Sequence, residues 1–307
     1  MFSLPDNWEM ASLLAKLLLY FAAFSIAGGS LAALRYSNGS RATLFSNFST
    51  VFVGAVVGFH GVLLGFLVQV GLINDSGVGG MFDWGMASIL LDTSLGDVTL
   101  FRLLAFILAG GASVVFLKKL QYTDGKLSVL LARFLFTIQF AALIILAFSH
   151  RVSGHVSVLS IVAQTSIMLH FIAFALWIGC LYPFLQLSKS TSLEILQKTL
   201  KRFGDNAIAI LSILFLAGIL MSWELLDSPF DLINTGYGVV LLVKLVLVAA
   251  ILAVAAINKL VLVPSMLASV SISRLQTSIR VELAIALAIL IVTSYLSTVV
   301  GPASHQM

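Results

Sequence analysis

Hydrophobic residues fill eight long stretches of the chain, which charged or Gly/Asn-rich segments separate. A bilayer core about 30 Å thick needs roughly 20 apolar residues per helix. Because this core holds no water, stretches of that length satisfy their backbone hydrogen bonds internally, as α-helices rather than barrel strands. The pattern predicts an all-α, polytopic membrane protein with eight transmembrane helices, at about 11–34, 47–73, 98–117, 128–149, 158–187, 204–224, 237–262 and 278–300.

The composition excludes a soluble protein. Of 307 residues, 60% are hydrophobic and 10% are charged, which is less than half the charged share of a soluble domain. The net charge of +4 is spread over short loops rather than one solvated face, so we expect the lipid bilayer, and no nucleic acid, as a partner. The N-terminus lacks the basic region and short apolar core of a signal peptide, so the first apolar stretch is expected to remain as a span.

The basic residues predict the orientation of the spans. The connections after spans 1, 3, 5 and 7 hold 13 of the 17 Lys and Arg residues, and loops enriched in this way are cytoplasmic. We therefore expect both termini on the outer face of the membrane. Of the other four basic residues, Arg151 lies on the opposite side, and Lys16, Arg102 and Lys244 are near the outer boundary, where a long side chain can snorkel to the headgroups.

The two halves of the chain resemble each other. The segment YFAAFSIAGGSL (20–31) aligns with HFIAFALWIGCL (170–181), and TSLGDVTLFRL (93–103) aligns with TGYGVVLLVKL (235–245). The second alignment places Arg102 and Lys244 at equivalent depth. Because each half has four spans, the prediction is two parallel four-helix repeats, 1–150 and 151–307, related by an axis along the membrane normal. The alternative is a likeness of composition between apolar helices that enter from the same side.

Around the fifth span the sequence SGHVSVLSIVAQTSIMLHFIAFALWIGCLYPF (153–184) resembles the copper resistance protein D (CopD) family. The family pattern has Gly-His before the span, then Leu-His, then Trp-x-Gly-Gly. The corresponding residues are Gly154-His155, Leu169-His170 and Trp177-Ile178-Gly179, with Cys180 in place of the second Gly. The resemblance continues through 201–220, 235–264 and 280–302, and it is loose in the N-terminal half. Family members often have an Asp three residues before the Leu-His histidine, where this chain has Ile167.

The resemblance implies a multi-span protein of the bacterial cytoplasmic membrane that transports or delivers copper, moving it from the periplasmic side inward. It also implies a periplasmic copper-binding protein as a partner. No nucleotide-binding loop, soluble ATPase domain or Ser-His-Asp arrangement is recognisable in the sequence, so we expect no enzyme. Transport would then be facilitated or driven by gradients.

Copper as Cu(I) needs thioether, thiolate or imidazole ligands. The chain offers these at two levels. The outer surface is expected to hold Met81 and Met86 with Asp83, His150 and His155, and the C-terminal His305. The middle of the bilayer is expected to hold His60 and His170, with Trp177 on the same helical stripe and Cys180 as a weak exit ligand. The alternatives are solvated loop residues at the surface, and imidazoles that only bond a neighbouring helix, worth about 0.6 kcal/mol.

His60 and His170 carry the most specific prediction. Both lie about 18 Å below the outer ends of their spans at 1.5 Å per residue, so they can be level and face one cavity. Together they would give Cu(I) two ligands, with His155 about 22 Å above them at the entrance. The rival hypothesis is a redox protein in which the same two histidines ligate a haem axially. A third is a scaffold whose polar residues only stabilise packing.

Arg102 and Lys244 need a separate explanation, because cations repel a copper ion. One interpretation pairs them with outer carboxylates such as Asp97 or Glu224, or with lipid phosphates. The other gives them a gating role at the entrance.

Overall fold

The computed structural model describes residues 4–37, 39–122, 129–153, 156, 158–226, 228–268 and 272–301. All regular secondary structure within these ranges is helical. Eight helical segments in them are long and apolar enough to cross a membrane. The predicted all-α, polytopic membrane fold is therefore confirmed.

The helices follow one another with short connections. Their bounds are α1 Asn7–Arg35, α2 Arg41–Asn74, α3 Trp84–Leu91, α4 Ser94–Tyr122, α5 Val129–Arg151, α6 Ile161–Gly179, α7 Leu181–Ser190, α8 Leu193–Leu225, α9 Asp231–Asn234, α10 Gly236–Ile257 and α11 Ile272–Tyr295. A 3₁₀ turn covers Val78–Phe82, and π-helical turns at Asn258–Leu262 and Leu296–Val300 extend α10 and α11. The fifth span comprises α6 and α7, Ile161–Ser190.

The sixth span begins earlier than predicted. α8 has 33 residues, about 50 Å at 1.5 Å per residue, and so exceeds a bilayer core of about 30 Å. Lys198 and Lys201 therefore lie on the first turns of a helix rather than in a loop. Leu196 and Leu200 on the opposite face are buried, so this extension packs against the rest of the protein and is not solvated on all sides.

Small residues hold the N-terminal helices together. α1 packs against α2 along most of its length and also contacts α5, α6 and α11. A Cβ added at Gly28 would overlap the backbone of Gly179, where α1 crosses the end of α6. A Cβ at Gly54 of α2 would overlap the Ser25 side chain of α1, and one at Gly58 would overlap the side chains of Phe106 in α4 and Ala22 in α1. Small residues let helix backbones approach closely, which is the main source of packing energy between helices in lipid.

The packing is uneven across the molecule. In the most apolar 18-residue stretch of each span, 67% of the α1 residues are buried, but only 11% of those in α8 and 17% of those in the α10 span. α10 packs mainly against α11. The α8 and α10 faces are therefore covered by lipid more than by protein.

Arg102 and Lys244 occupy corresponding positions along their helices. Each lies eight residues after the first residue of its helix, Ser94 in α4 and Gly236 in α10. This placement agrees with the alignment of the two halves. The two-fold arrangement, and the division at residues 150 and 151, stay predictions.

Cysteine labelling in intact bacteria tests the orientation. The only cysteine, Cys180, is fully buried, so the natural chain gives a low background. We expect a membrane-impermeant maleimide to label Ser76→Cys, after α2, in intact spheroplasts. Ser192→Cys, before α8, should be labelled only after lysis; labelling in the reverse order would contradict the orientation.

Candidate functional site

His170 lies in the contact between α6 and α8. It is nine residues after Ile161, the start of α6, or about 14 Å along the helix. Its Nδ1 lies 3.1 Å from the Leu214 carbonyl oxygen of α8. Because a carbonyl oxygen only accepts, Nδ1 carries the proton and donates, and Nε2 keeps its lone pair. This is the arrangement in which metal-ligating histidines are held.

Gly218 and Lys244 lie near His170. A Cβ added at Gly218, one turn after Leu214, would lie 3.4 Å from Cε1 and Nδ1 of His170, which is ordinary van der Waals contact. Lys244 of α10 lies within electrostatic range of His170. Among the described residues Lys244 has no hydrogen-bond or ion-pair partner. His170 and Lys244 therefore share one region of the bundle.

His60 does not join His170. Its side chain is exposed, and Nδ1 donates to the Val56 carbonyl oxygen of its own helix at 2.8 Å. The ring borders a shallow groove between α2 and α4, which Phe106 and Gly110 help to line. α1 packs against both α2 and α6 and so stands between the two histidines. The prediction that they face one cavity is wrong, because residue counts give depth along a helix but not rotation about its axis.

His150 lies inside the bundle, not at the outer surface as predicted. Its ring stacks on Tyr20 with the centroids 6.3 Å apart, and it lies 4.5 Å from the ring of Phe171. Nε2 is buried without a hydrogen-bond partner in the described part of the chain. Phe171 is ten residues after the start of α6, so α5 ends about 15 Å below that start. His150 and His170 therefore lie at similar levels, on different sides of α6.

Met81 and Met86 pack against different neighbours and do not lie together at one site. The side chains of Met81 and Trp8 cover Gly71 near the end of α2, and Met86 packs against the cluster formed by Val70, Ala87 and Leu90. The backbone N–H of Met86 donates to Asp83 at 3.0 Å, which lowers the pKa of this carboxyl group. Asp83 thereby caps α3. His155 and His305 lie outside the described residues.

Cys180 and Trp177 belong to the packed interior. Cys180 is fully buried between α6 and α7, and its Sγ lies 3.8 Å from the Gly28 carbonyl oxygen. Trp177 is 3% exposed and makes an edge contact with Phe174 at 6.5 Å. Both side chains fill the crossing of α1 and α6, so their position agrees with a packing role.

Arg102 and Lys16 are held by hydroxyl and carbonyl groups. Arg102 Nε donates to Ser149 Oγ at 2.9 Å, and Lys16 donates to the Ser297 carbonyl at 3.2 Å, to its hydroxyl at 3.0 Å and to the Thr298 hydroxyl at 2.7 Å. The expected pairs of Arg102 or Lys244 with Asp97 or Glu224 do not form. Within the ranges that the structure covers, the ion pair is Lys259 with Asp205, at 2.9 Å.

Sequence reasoning missed Glu282. This residue of α11 is 4% exposed, and the Asn258 side chain lies in hydrogen-bonding reach of its carboxyl group. A single Glu inside the predicted span 278–300 was the signal that could have found it, since ionisable residues within a membrane usually have a function.

The described ranges contain no group of three or more His, Cys, Asp or Glu residues placed to hold one ion.

Residues 197–296 match the family model described as copper resistance protein D. The match covers 100 of the 307 residues, so over this segment the chain is similar to the copper resistance protein D family. The matched copper resistance protein D segment covers most of α8 and all of α10, and extends through α11 to Leu296. Searches of curated proteins and of solved structures gave no match.

This similarity, together with the eight helical segments that are long and apolar enough to cross a membrane, supports a membrane protein related to copper resistance. The family segment contains Leu214 and Lys244, which surround His170, and also Glu282. His170 itself precedes the segment. The haem alternative receives no support, because His60 and His170 do not face each other.

Proposed function

We propose that this protein carries copper, as Cu(I), inward across the bacterial cytoplasmic membrane, with His170 as its principal ligand. The observation that carries the proposal is the hydrogen bond from His170 Nδ1 to the Leu214 carbonyl. It fixes the tautomer and leaves Nε2 free as a borderline-soft donor. The carbonyl belongs to the segment that matches the copper resistance protein D family.

Copper would reach His170 from the outer loops. Met81, Met86 and His155 are the candidate ligands there, and a periplasmic copper-binding protein would supply the ion. His150 offers a second buried imidazole nitrogen at a similar level, although Lys16 and Arg102 lie within electrostatic range of it and disfavour a bare cation there. His170 is therefore the stronger candidate ligand for copper. The protein acts as a transporter without enzymatic chemistry.

Lys244 lowers the affinity of His170 for copper. In its ammonium form it repels a copper ion near His170, and weak binding is what rapid passage requires. We expect Lys244→Gln to tighten Cu(I) binding about tenfold, equivalent to about 1.4 kcal/mol, and to slow release. Competition against a calibrated Cu(I) chelator measures this affinity. Arg102→Gln, at the corresponding position of α4, is the control and should leave the affinity unchanged; equal effects of the two substitutions would contradict the role of Lys244.

Purified protein in proteoliposomes tests the proposed function. Vesicles loaded with a Cu(I) chelator should accumulate copper faster than protein-free vesicles when Cu(I) is presented outside. Metal content and the visible spectrum of the same sample test the haem alternative. Uptake at the rate of protein-free vesicles would overturn the proposal, and a Soret band lost on replacing His60 or His170 would favour haem.

A further inference from the structure

Glu282 has a buried carboxyl group in the middle of α11. It lies ten residues after Ile272, the start of α11, or about 15 Å along the helix. The residue is 4% exposed, and α11 packs against α1, α7 and α10 around it. Taking a carboxylate out of water costs several kcal/mol unless a cation or several donors compensate it.

No cation compensates Glu282 within the described ranges. The charged or titratable residues of the elements packed against α11 are Glu9, Lys16, Tyr20 and Arg35 on α1, Tyr182 and Lys189 on α7, Tyr237 and Lys244 on α10, and Lys259 in the turn after α10. None of them is an electrostatic or hydrogen-bond partner of Glu282. The polar side chain beside the carboxyl group is that of Asn258. Lys259, next to Asn258, is instead held by Asp205 at 2.9 Å and by the Gly204 carbonyl at 2.6 Å.

Asn258 brings no charge to Glu282. Its side-chain amide is the polar group beside the carboxyl group, and its own oxygen Oδ1 is buried without a hydrogen-bond donor in the described chain. A neutral amide does not balance the charge of a buried carboxylate, whereas a protonated Glu282 has no charge to balance. Asn258 also opens the π-helical turn Asn258–Leu262, where its carbonyl accepts from Val263 at 2.9 Å. Such turns often occur at functional sites.

We propose that Glu282 and Asn258 form a proton-binding site that couples copper movement to proton movement. The proposal rests on the proposed transport of copper. The single negative charge of the Glu282 carboxylate is balanced either by a bound proton or by one Cu(I) ion. When Cu(I) reaches this half of the bundle, the proton leaves Glu282 toward the outer side, and the carboxylate balances the copper charge. After copper leaves, a proton from the cytoplasmic side protonates Glu282 again. One proton is thereby exchanged for one Cu(I).

Glu282 acts through its charge in this exchange, because a carboxylate is a hard ligand and binds Cu(I) weakly. This distinguishes its role from that of His170. Removing His170 removes a ligand, whereas removing the charge of Glu282 leaves the ligand and abolishes the exchange.

The test uses right-side-out proteoliposomes with a pH-sensitive dye inside and the membrane potential clamped by K⁺ and valinomycin. Copper uptake by the natural protein should make the lumen alkaline, by about one proton per copper ion. Glu282→Gln, which is nearly isosteric and keeps a polar group beside Asn258, should abolish this change. Glu194→Gln, an exposed residue in the first turn of α8, is the control and should behave like the natural protein.

A second measurement does not depend on transport. Infrared spectroscopy of the natural protein at neutral pH should show the C=O stretch of a protonated carboxylic acid, which Glu282→Gln removes and Asn258→Leu shifts. Copper uptake with no pH change, with luminal acidification, or with an unchanged proton exchange in Glu282→Gln would overturn the inference and leave the proposed function intact. A natural protein that moves no copper would refute the proposed function; the absence of the Glu282 band would then refute the proton site separately.

Discussion

Copper uptake should fall at least tenfold, to the level of protein-free vesicles, when His170 is replaced by Ala. The substitution removes the Nε2 donor and the hydrogen bond from Nδ1 to Leu214. The lost hydrogen bond to Leu214 costs only about 0.6 kcal/mol in a membrane bundle, so the protein should still fold. Uptake of Cu(I) into chelator-loaded proteoliposomes measures the effect.

Two variants separate ligation from packing. His170→Gln keeps an N–H donor for the Leu214 carbonyl but offers no imidazole, and it should also lose uptake. His60→Ala removes an exposed imidazole bonded only within its own helix, and it should keep uptake. Retained uptake in His170→Gln, or a loss confined to His60→Ala, would move the copper path away from α6 and α8.

Replacing Gly28 by Ala should destabilise the protein by about 3 kcal/mol or more, at the upper end of the cost of overpacking. The added methyl group would overlap the backbone of Gly179. Because this neighbour is backbone and not the end of a flexible side chain, α1 and α6 would have to separate along their whole crossing. Thermal unfolding in detergent, followed by loss of the monodisperse peak in size-exclusion chromatography, measures the change.

Gly111→Ala of α4 provides the matched control. A Cβ at Gly111 would meet nothing within 4 Å, and Ala has a better helix propensity than Gly by about 1 kcal/mol. This variant should be as stable as the natural protein or more stable. Equal stability of Gly28→Ala and Gly111→Ala would show that α1 and α6 do not cross at Gly28 and Gly179.

The spans could be predicted from sequence because the bilayer imposes their length and their apolar character. Hydropathy says nothing about where a helix stops once it leaves the bilayer, which is why Lys198 and Lys201 were assigned to a loop although α8 continues through them. The caps of the helices supply that missing information, as Asp83 does for α3.

The candidate site was predicted less well. A residue count gives the position of His170 along its helix, but it could not supply the Leu214 carbonyl, which comes from another helix. The same count placed His150 at the surface, because it assumed that α5 reaches as far outward as α6. Glu282 was visible as a charge within a span, yet its partner Asn258 becomes adjacent only when α10 and α11 pack together.

The unequal packing of the helices has a mechanical consequence. Moving α2 away from α1 would open gaps at glycine contacts that no lipid chain can fill as closely. Most of the apolar stretch of α8 and of α10 is not buried inside the protein. In a bilayer these surfaces face lipid tails, which are as apolar as the side chains, so shifting the two helices exchanges one apolar neighbour for another. Moving α8 and α10 during transport should therefore cost less free energy than moving α1 and α2. Leu214 and Lys244, which border His170, are carried by the helices that move most easily.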